Sequence, residues 1–172
     1  MPSITHLAGR FFGSLRARPL NEAEAQRVTE WLSPTEMVLW RRMSKADQRH
    51  AFGVANTVSD VLGTAITTPI VRAALLHDVG KVAADLGTYG RVIATLSAKV
   101  AGYEMASVWV SKRGFTRKVG LYLEHDRVGA DMLAMAGSDE LVVAWAREHH
   151  WAEDRWSVPR EIGRVLRAAD GD

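Results

Sequence analysis

The apolar run Ala73-Ala74-Leu75-Leu76 leads straight into His77-Asp78 and then Val79-Gly80-Lys81. A helix of that composition seeks the interior and carries an imidazole and a carboxylate with it. Ionisable groups are costly to bury unless they are paired or bind a metal. Any fold of this chain must therefore bring partners to His77 and Asp78. Gly80 lets the backbone turn sharply or lets a ligand approach closely. Lys81 follows Asp78 by three residues, so the two share a helical face if the turn continues. A cation beside a metal-binding carboxylate suits an anionic substrate.

The rest of the chain reads as consecutive helices. Asn21 with Glu24 has capping-box spacing, and Ser33-Pro34 with Glu36 opens a second helix to about Met43. Ser44 with Asp47 opens a third, whose apolar positions Phe52 to Leu62 fit a helical face better than alternation. Thr68-Pro69 opens a fourth, expected to end near Gly80. Residues 85–90 hold two glycines and read as a loop, and 91 to about 111 reads as helix, although Val108-Trp109-Val110 also suits a short strand. Gly114 breaks that pattern, Thr116 opens a helix toward Glu124, and Val128 to Ala136 is another. Ser138 is the expected cap of Leu141 to Glu148, and Pro159 starts the last helix, through Ile162 to Ala169. No alternating runs call for strands. The fold class is all-α: a basic N-terminal arm over residues 1–20, then a single helical domain over 21–172, a length within the usual range for one domain.

Composition removes several chemistries. There is no cysteine, so disulfides, thiolate zinc, iron–sulfur clusters and a cysteine nucleophile are excluded, and any metal must be held by imidazole and carboxylate. No run approaches the ~20 apolar residues of a membrane span. The arm's apolar patch at Leu7, Phe11 and Phe12 is interrupted or followed by Arg10, Arg16 and Arg18, unlike a signal peptide, so the expected location is the cytoplasm. A net charge of +2 is too small to argue for a nucleic-acid duplex as partner.

The six histidines are His6, His50, His77, His125, His149 and His150. Six histidines and ten aspartates should give about 0.35 His-Asp pairs by chance, so His77-Asp78 alone is weak evidence. His125-Asp126 is a second such pair, but it is followed by Arg-Val-Gly, and Asp126 reads as a solvated or capping residue. The wider pattern carries more weight. His50, His77, His125, the tandem His149-His150 and Asp170 sit on or beside different predicted helices. Helices packed around one centre can gather such ligands, as bundle metal sites do. Any one of these histidines, taken singly, also fits an ordinary core or surface position.

In that order of motifs the chain resembles the HD-domain superfamily of metal-dependent phosphohydrolases, over about Asp47 to Asp172. Within it, the tandem histidine and the Gly80-Lys81 after His-Asp resemble cyclic-dinucleotide phosphodiesterases, the HD-GYP proteins and the HD domains of seven-transmembrane receptors. The resemblance implies an HD-type helical bundle. It implies that His50, His77, Asp78 and Asp170 hold one metal, and that Asp78 bridges to a second held by His125, His149 and His150. It also implies a phosphate contact from Lys81. The departures are local. After His149-His150 the chain reads Trp-Ala-Glu-Asp-Arg-Trp-Ser-Val-Pro, with Ser157-Val158 in place of Gly-Tyr, which weakens the link to cyclic di-GMP in particular. Ala46 stands where some members place a glutamate, so a third metal is not expected.

The resulting expectation is a dinuclear phosphodiesterase acting on a small phosphorylated substrate, a nucleotide or cyclic dinucleotide, by attack of a metal-bridging hydroxide. Lys81 and Asp78 are the catalytic candidates. The cofactors are two divalent transition-metal ions drawn from Fe, Mn, Zn, Co or Ni. Arg91, beside Tyr89, is a candidate phosphate clamp, and Trp151, with Trp156, a candidate wall for a base. A surface role for Arg91 and a core role for the tryptophans are the competing expectations. Two other functions fit the ligand set: a di-iron HD-fold oxygenase and a non-catalytic nucleotide-binding sensor.

Overall fold

The structure is a computed structural model that describes residues 18–87, 90, 91, 93–95, 97 and 105–171. Most of the arm, with His6, lies outside the described residues, as do Tyr89 and much of the stretch expected to be helical up to residue 111. The described residues form an all-α fold without a strand. Its α-helices are α1 (Glu22–Trp31), α2 (Pro34–Arg42), α3 (Lys45–Leu62), α4 (Thr68–Leu76), α5 (Met105–Val110), α6 (Gly114–Leu123), α7 (His125–Met135), α8 (Glu140–Glu148) and α9 (Arg160–Asp170).

The first three helices start where capping chemistry puts them. Asn21 and Ser33 each accept a hydrogen bond from the amide three residues on, and the carboxylates of Glu24 and Glu36 accept one from the Asn21 and Ser33 amides in turn. Ser44 Oγ accepts from the Asp47 amide. Elsewhere the boundaries shift. Residues 105–110 are helical, so Val108-Trp109-Val110 is no strand. Gly114, at φ +62, opens α6 instead of merely breaking a helix. Helix α7 begins at His125, earlier than Val128, and Asp139, not Ser138, caps α8.

Helix α4 is the centre. Ile70, Val71 and Ala73 to Leu76 are all buried, and α4 packs against α3 on one side and α8 on another. Helix α9 lies on α3, and α7 lies on α8. Leu75, Leu76, Val58, Leu133, Val142 and Leu166 interlock in the main core. A smaller cluster gathers Ala84, Leu86, Ala94 and Val119.

After Leu76 the helix does not continue to Gly80. It gives way at His77 and Asp78 to a tighter 3-10 turn, Val79–Ala83. Gly80 explains the turn's position. A Cβ there would lie 1.9 Å from the His125 carbonyl oxygen and 2.6 Å from the Gly129 amide nitrogen. Gly129 meets the Gly80 nitrogen in return, at 3.0 Å from its own ideal Cβ. The Gly80 position is thus reserved for the backbone of α7, not for a ligand, and the crossing brings His125 to Asp78.

Gly80→Ala should therefore destabilise the fold by about 3 kcal/mol, the upper end of overpacking costs. Gly53→Ala, in the middle of α3 with no neighbour within 4 Å, should stabilise by about 0.5–1 kcal/mol. Urea unfolding checks both; equal and small effects would show that the two backbones do not meet as described.

Candidate metal centre

Four helix ends and one helix face converge around Asp78. His77 is the C-terminal cap of α4 and His149 that of α8, while His125 is the first residue of α7 and Asp170 the last of α9. His50 projects from the body of α3. The C-terminal ends of α4, α8 and α9 each carry partial negative charge, so their convergence favours a cation between them. His77, Asp78 and His149 are nearly inaccessible, at 2%, 3% and 3% exposure.

The two oxygens of Asp78 face different groups. Oδ2 accepts a hydrogen bond from Lys81 and lies 3.5 Å from His77 Nε2. Oδ1 lies 3.3 Å from His125 Nε2 and 4.0 Å from His149 Nε2. Asp170 Oδ1 pairs with His50 Nε2 at 2.6 Å and lies 3.5 Å from His77 Nε2. Donor atoms of His50, His77 and Asp78 fall within 4.8 Å of one another, and so do those of His125, His149 and His150. Either group could hold a metal ion. All seven ligand candidates thus meet in one region, in two groups that Asp78 touches from opposite oxygens.

The imidazoles are oriented by the backbone. Nδ1–H of His77 donates to the Ala74 carbonyl at 2.9 Å, that of His125 to Tyr122 at 2.7 Å, and that of His149 to Ala146 at 3.0 Å. A carbonyl can only accept, so Nδ1 carries the proton in each ring and Nε2 of the neutral form holds a lone pair. Those three Nε2 atoms are buried and have no hydrogen-bond partner. Three lone pairs aimed at a carboxylate cannot satisfy one another. They need a proton or a metal cation between them.

The charges decide which ring takes a proton in the metal-free protein. Burial pushes His77 down, but Asp78 and Asp170 outweigh it and hold His77 up at about 9. At His149 burial dominates, His150, His77 and His125 add to it, and the ring is held well below the usual histidine value. Asp78 is kept well below the carboxylate range: burial raises it, but Lys81, His77 and His125 overcome that. Lys81, also resisted by burial, is held above its ordinary value by Asp78. His149 is therefore a neutral, buried ring whose Nε2 no proton satisfies, and its donor set fits a borderline divalent cation.

Lys81 lies on the Asp78 carboxylate itself, on the shared face that its spacing implies. Two alternatives left open in the sequence are decided by burial. Arg91 is half-buried rather than a free surface residue; it donates to Asp47 Oδ1 at 2.7 Å and to the Leu86 carbonyl at 3.1 Å. Trp156 is core, edge-on to Trp145 at 5.4 Å with its indole N–H on the Glu148 carbonyl, so it forms no wall for a base. Trp151 does line an open cleft of about 770 Å³, together with Glu124, Asp126, Arg127, Asp131 and Arg147. None of the seven ligand candidates lines that cleft.

Residues not singled out in the sequence hold the site in shape. Glu148 accepts from the Ser157 amide and hydroxyl, both at 2.6 Å. Arg167 donates to the His149 and Trp151 carbonyls. Together they fix the turn that carries the tandem histidines. A glutamate directly before His149-His150 was the only available signal, and it is a weak one.

The pH dependence follows with its sign. His77, raised when folded, contributes stability that is complete below about 6.5 and lost as pH climbs through about 9. His149, depressed when folded, withdraws stability as pH falls below about 6.5. Metal-free protein should melt highest near pH 6.5, and His77→Gln should flatten the alkaline fall. An alkaline limb identical in the variant would remove His77 from this account. Comparison with protein-family models, curated proteins and solved structures finds no match for this chain.

Proposed function

We propose that the protein is a metal-dependent phosphohydrolase of the HD type, a dinuclear phosphodiesterase acting on a nucleotide or cyclic dinucleotide. The observation that carries this reading is the set of orphaned Nε2 atoms on His77, His125 and His149 around the two oxygens of Asp78. Iron, manganese, zinc, cobalt and nickel all accept such imidazole and carboxylate donors. Two such cations supply Lewis acidity toward a phosphoryl oxygen and lower the pKa of water.

The chain's own residues do the rest. Asp78 gives one oxygen to each group, so it sets their separation. His50, His77 and Asp170 complete one group, and His125, His149 and His150 the other. The carbonyls of Ala74, Tyr122 and Ala146 keep the protons on Nδ1, so each Nε2 stays a ligand. Lys81 pairs with Asp78 and is the ammonium this reading offers to a phosphate oxygen. The cleft beside Trp151 carries three carboxylates and two guanidiniums, with Arg147 on Asp131 at 3.1 Å, so it is not the place for a phosphate.

Elemental analysis should find about two metals per chain. Asp78→Ala should lose them and lose hydrolysis of bis-p-nitrophenyl phosphate. Lys81→Ala should keep the metal and slow hydrolysis by about 10²-fold. A panel of phosphomonoesters, linear dinucleotides and cyclic dinucleotides then names the substrate class. An unchanged rate in Asp78→Ala would remove that residue from the chemistry. Oxygen-dependent turnover without phosphoester cleavage would replace hydrolysis with oxidation.

A further inference from the structure

The segment 151–159, where the chain departs from the motif it resembles, folds back onto the turn that carries His149 and His150. Trp156 and Val158 are buried on either side of Ser157 and anchor it. Ser157 thereby presents two donors to Glu148, the last residue of α8. Its amide donates to Oε2 of Glu148 and its hydroxyl to Oε1, both at 2.6 Å. Glu148 is buried, and a buried carboxylate beside two candidate ligands could itself take a cation. Here both of its oxygens are committed to Ser157 instead. A glycine at 157 would keep the amide and lose the hydroxyl that Oε1 uses. The backbone of the turn is held as well. The Glu148 carbonyl accepts from the Trp151 amide at 2.7 Å and from the Trp156 indole N–H at 3.1 Å. The His149 carbonyl accepts from Arg167 at 2.9 Å. Carbonyls at a helix C-terminus have no partner within the helix, and this segment and α9 supply them.

We propose that Glu148 and Ser157 are positioning residues for the metal position at His125, His149 and His150. The pair locks the turn after α8 and so keeps the His149 Nε2, 4.0 Å from Asp78 Oδ1, on its side of that carboxylate. The Ala146 carbonyl orients the ring, while Ser157 holds the backbone from which the ring hangs. His50 and His77 are placed differently, by α3 and α4, whose apolar faces lie in the main core. The pair therefore governs one metal position and not the other. This rests on the two-cation reading of the site and is independent of phosphoester cleavage.

The test is calorimetric titration of manganese into the metal-free full chain, with melting temperature measured alongside. Wild type should show two binding events, and His149→Ala marks which of them belongs to the tandem histidines. Ser157→Ala should weaken that event by about tenfold and Glu148→Ala by about 100-fold, the range for residues that orient metal ligands, with the other event unchanged. Ser157→Thr keeps the hydroxyl and should restore wild-type affinity. Asn21→Ala, which removes the remote cap of α1, is the stability control: it should lower the melting temperature and change neither event. Ser157→Ala and Ser157→Thr carry the test if Glu148→Ala does not fold. Equal weakening of both events in Ser157→Ala, or no rescue by Ser157→Thr, would overturn the proposal. Two events in wild type with neither weakened in Ser157→Ala would overturn it and leave the dinuclear reading standing. Fewer than two events in wild type would overturn both.

Discussion

The carboxylate of Asp78 sits at the end of a buried helix with almost no access to water, and it stays ionised there. Transferring a lone carboxylate to such a place costs far more than any single contact returns. Its stability depends on Lys81 at one oxygen and on imidazoles at both. The chain supplies those partners by geometry. The Gly80–Gly129 backbone crossing brings α7 and His125 against the turn, α8 ends at His149, and α9 ends at Asp170 beside His50.

That arrangement answers the charge on Asp78 but leaves the lone pairs of the rings unanswered. Protonating every ring would crowd several cations into a buried space, and His149 is depressed first by burial and then by the neighbouring rings. A divalent cation satisfies several lone pairs at once without adding a proton to each. Such a site ties metal binding to stability, because the unfolded chain offers no assembled ligand set. Apolar packing from α4 to its neighbours provides the frame that holds these donors close together, where they could hold a metal ion.

Much of this was legible in the sequence, for identifiable reasons. Capping residues at Asn21, Ser33 and Ser44 act within four residues, so local spacing reveals them. The apolar run before His77-Asp78 announced a buried helix end, and the spread of the other histidines over separate helices announced convergence. What stayed hidden depends on contacts between distant segments. Gly80 could have served a ligand or a neighbour, and only the approach of α7 decides it. Asp47 looked complete as a partner of Ser44 until Arg91 came to it across the fold. Trp151 and Trp156 look alike in sequence, yet Gly163 opens room for the Trp156 ring: a Cβ at that glycine would lie 2.6 Å from it, which makes Trp156 core. The acceptors that fix the histidine tautomers are backbone carbonyls, which every residue has, so no side-chain motif marks them.

The central claim is that Asp78 sits between two metal positions. Anomalous X-ray diffraction from crystals of the full chain grown with manganese tests it most directly. The account predicts two peaks roughly 3.5–4 Å apart, one on each side of Asp78, with His77 at one and His149 at the other. Clear density for the protein with no anomalous peak at Asp78, or with manganese bound only at surface carboxylates, would contradict it.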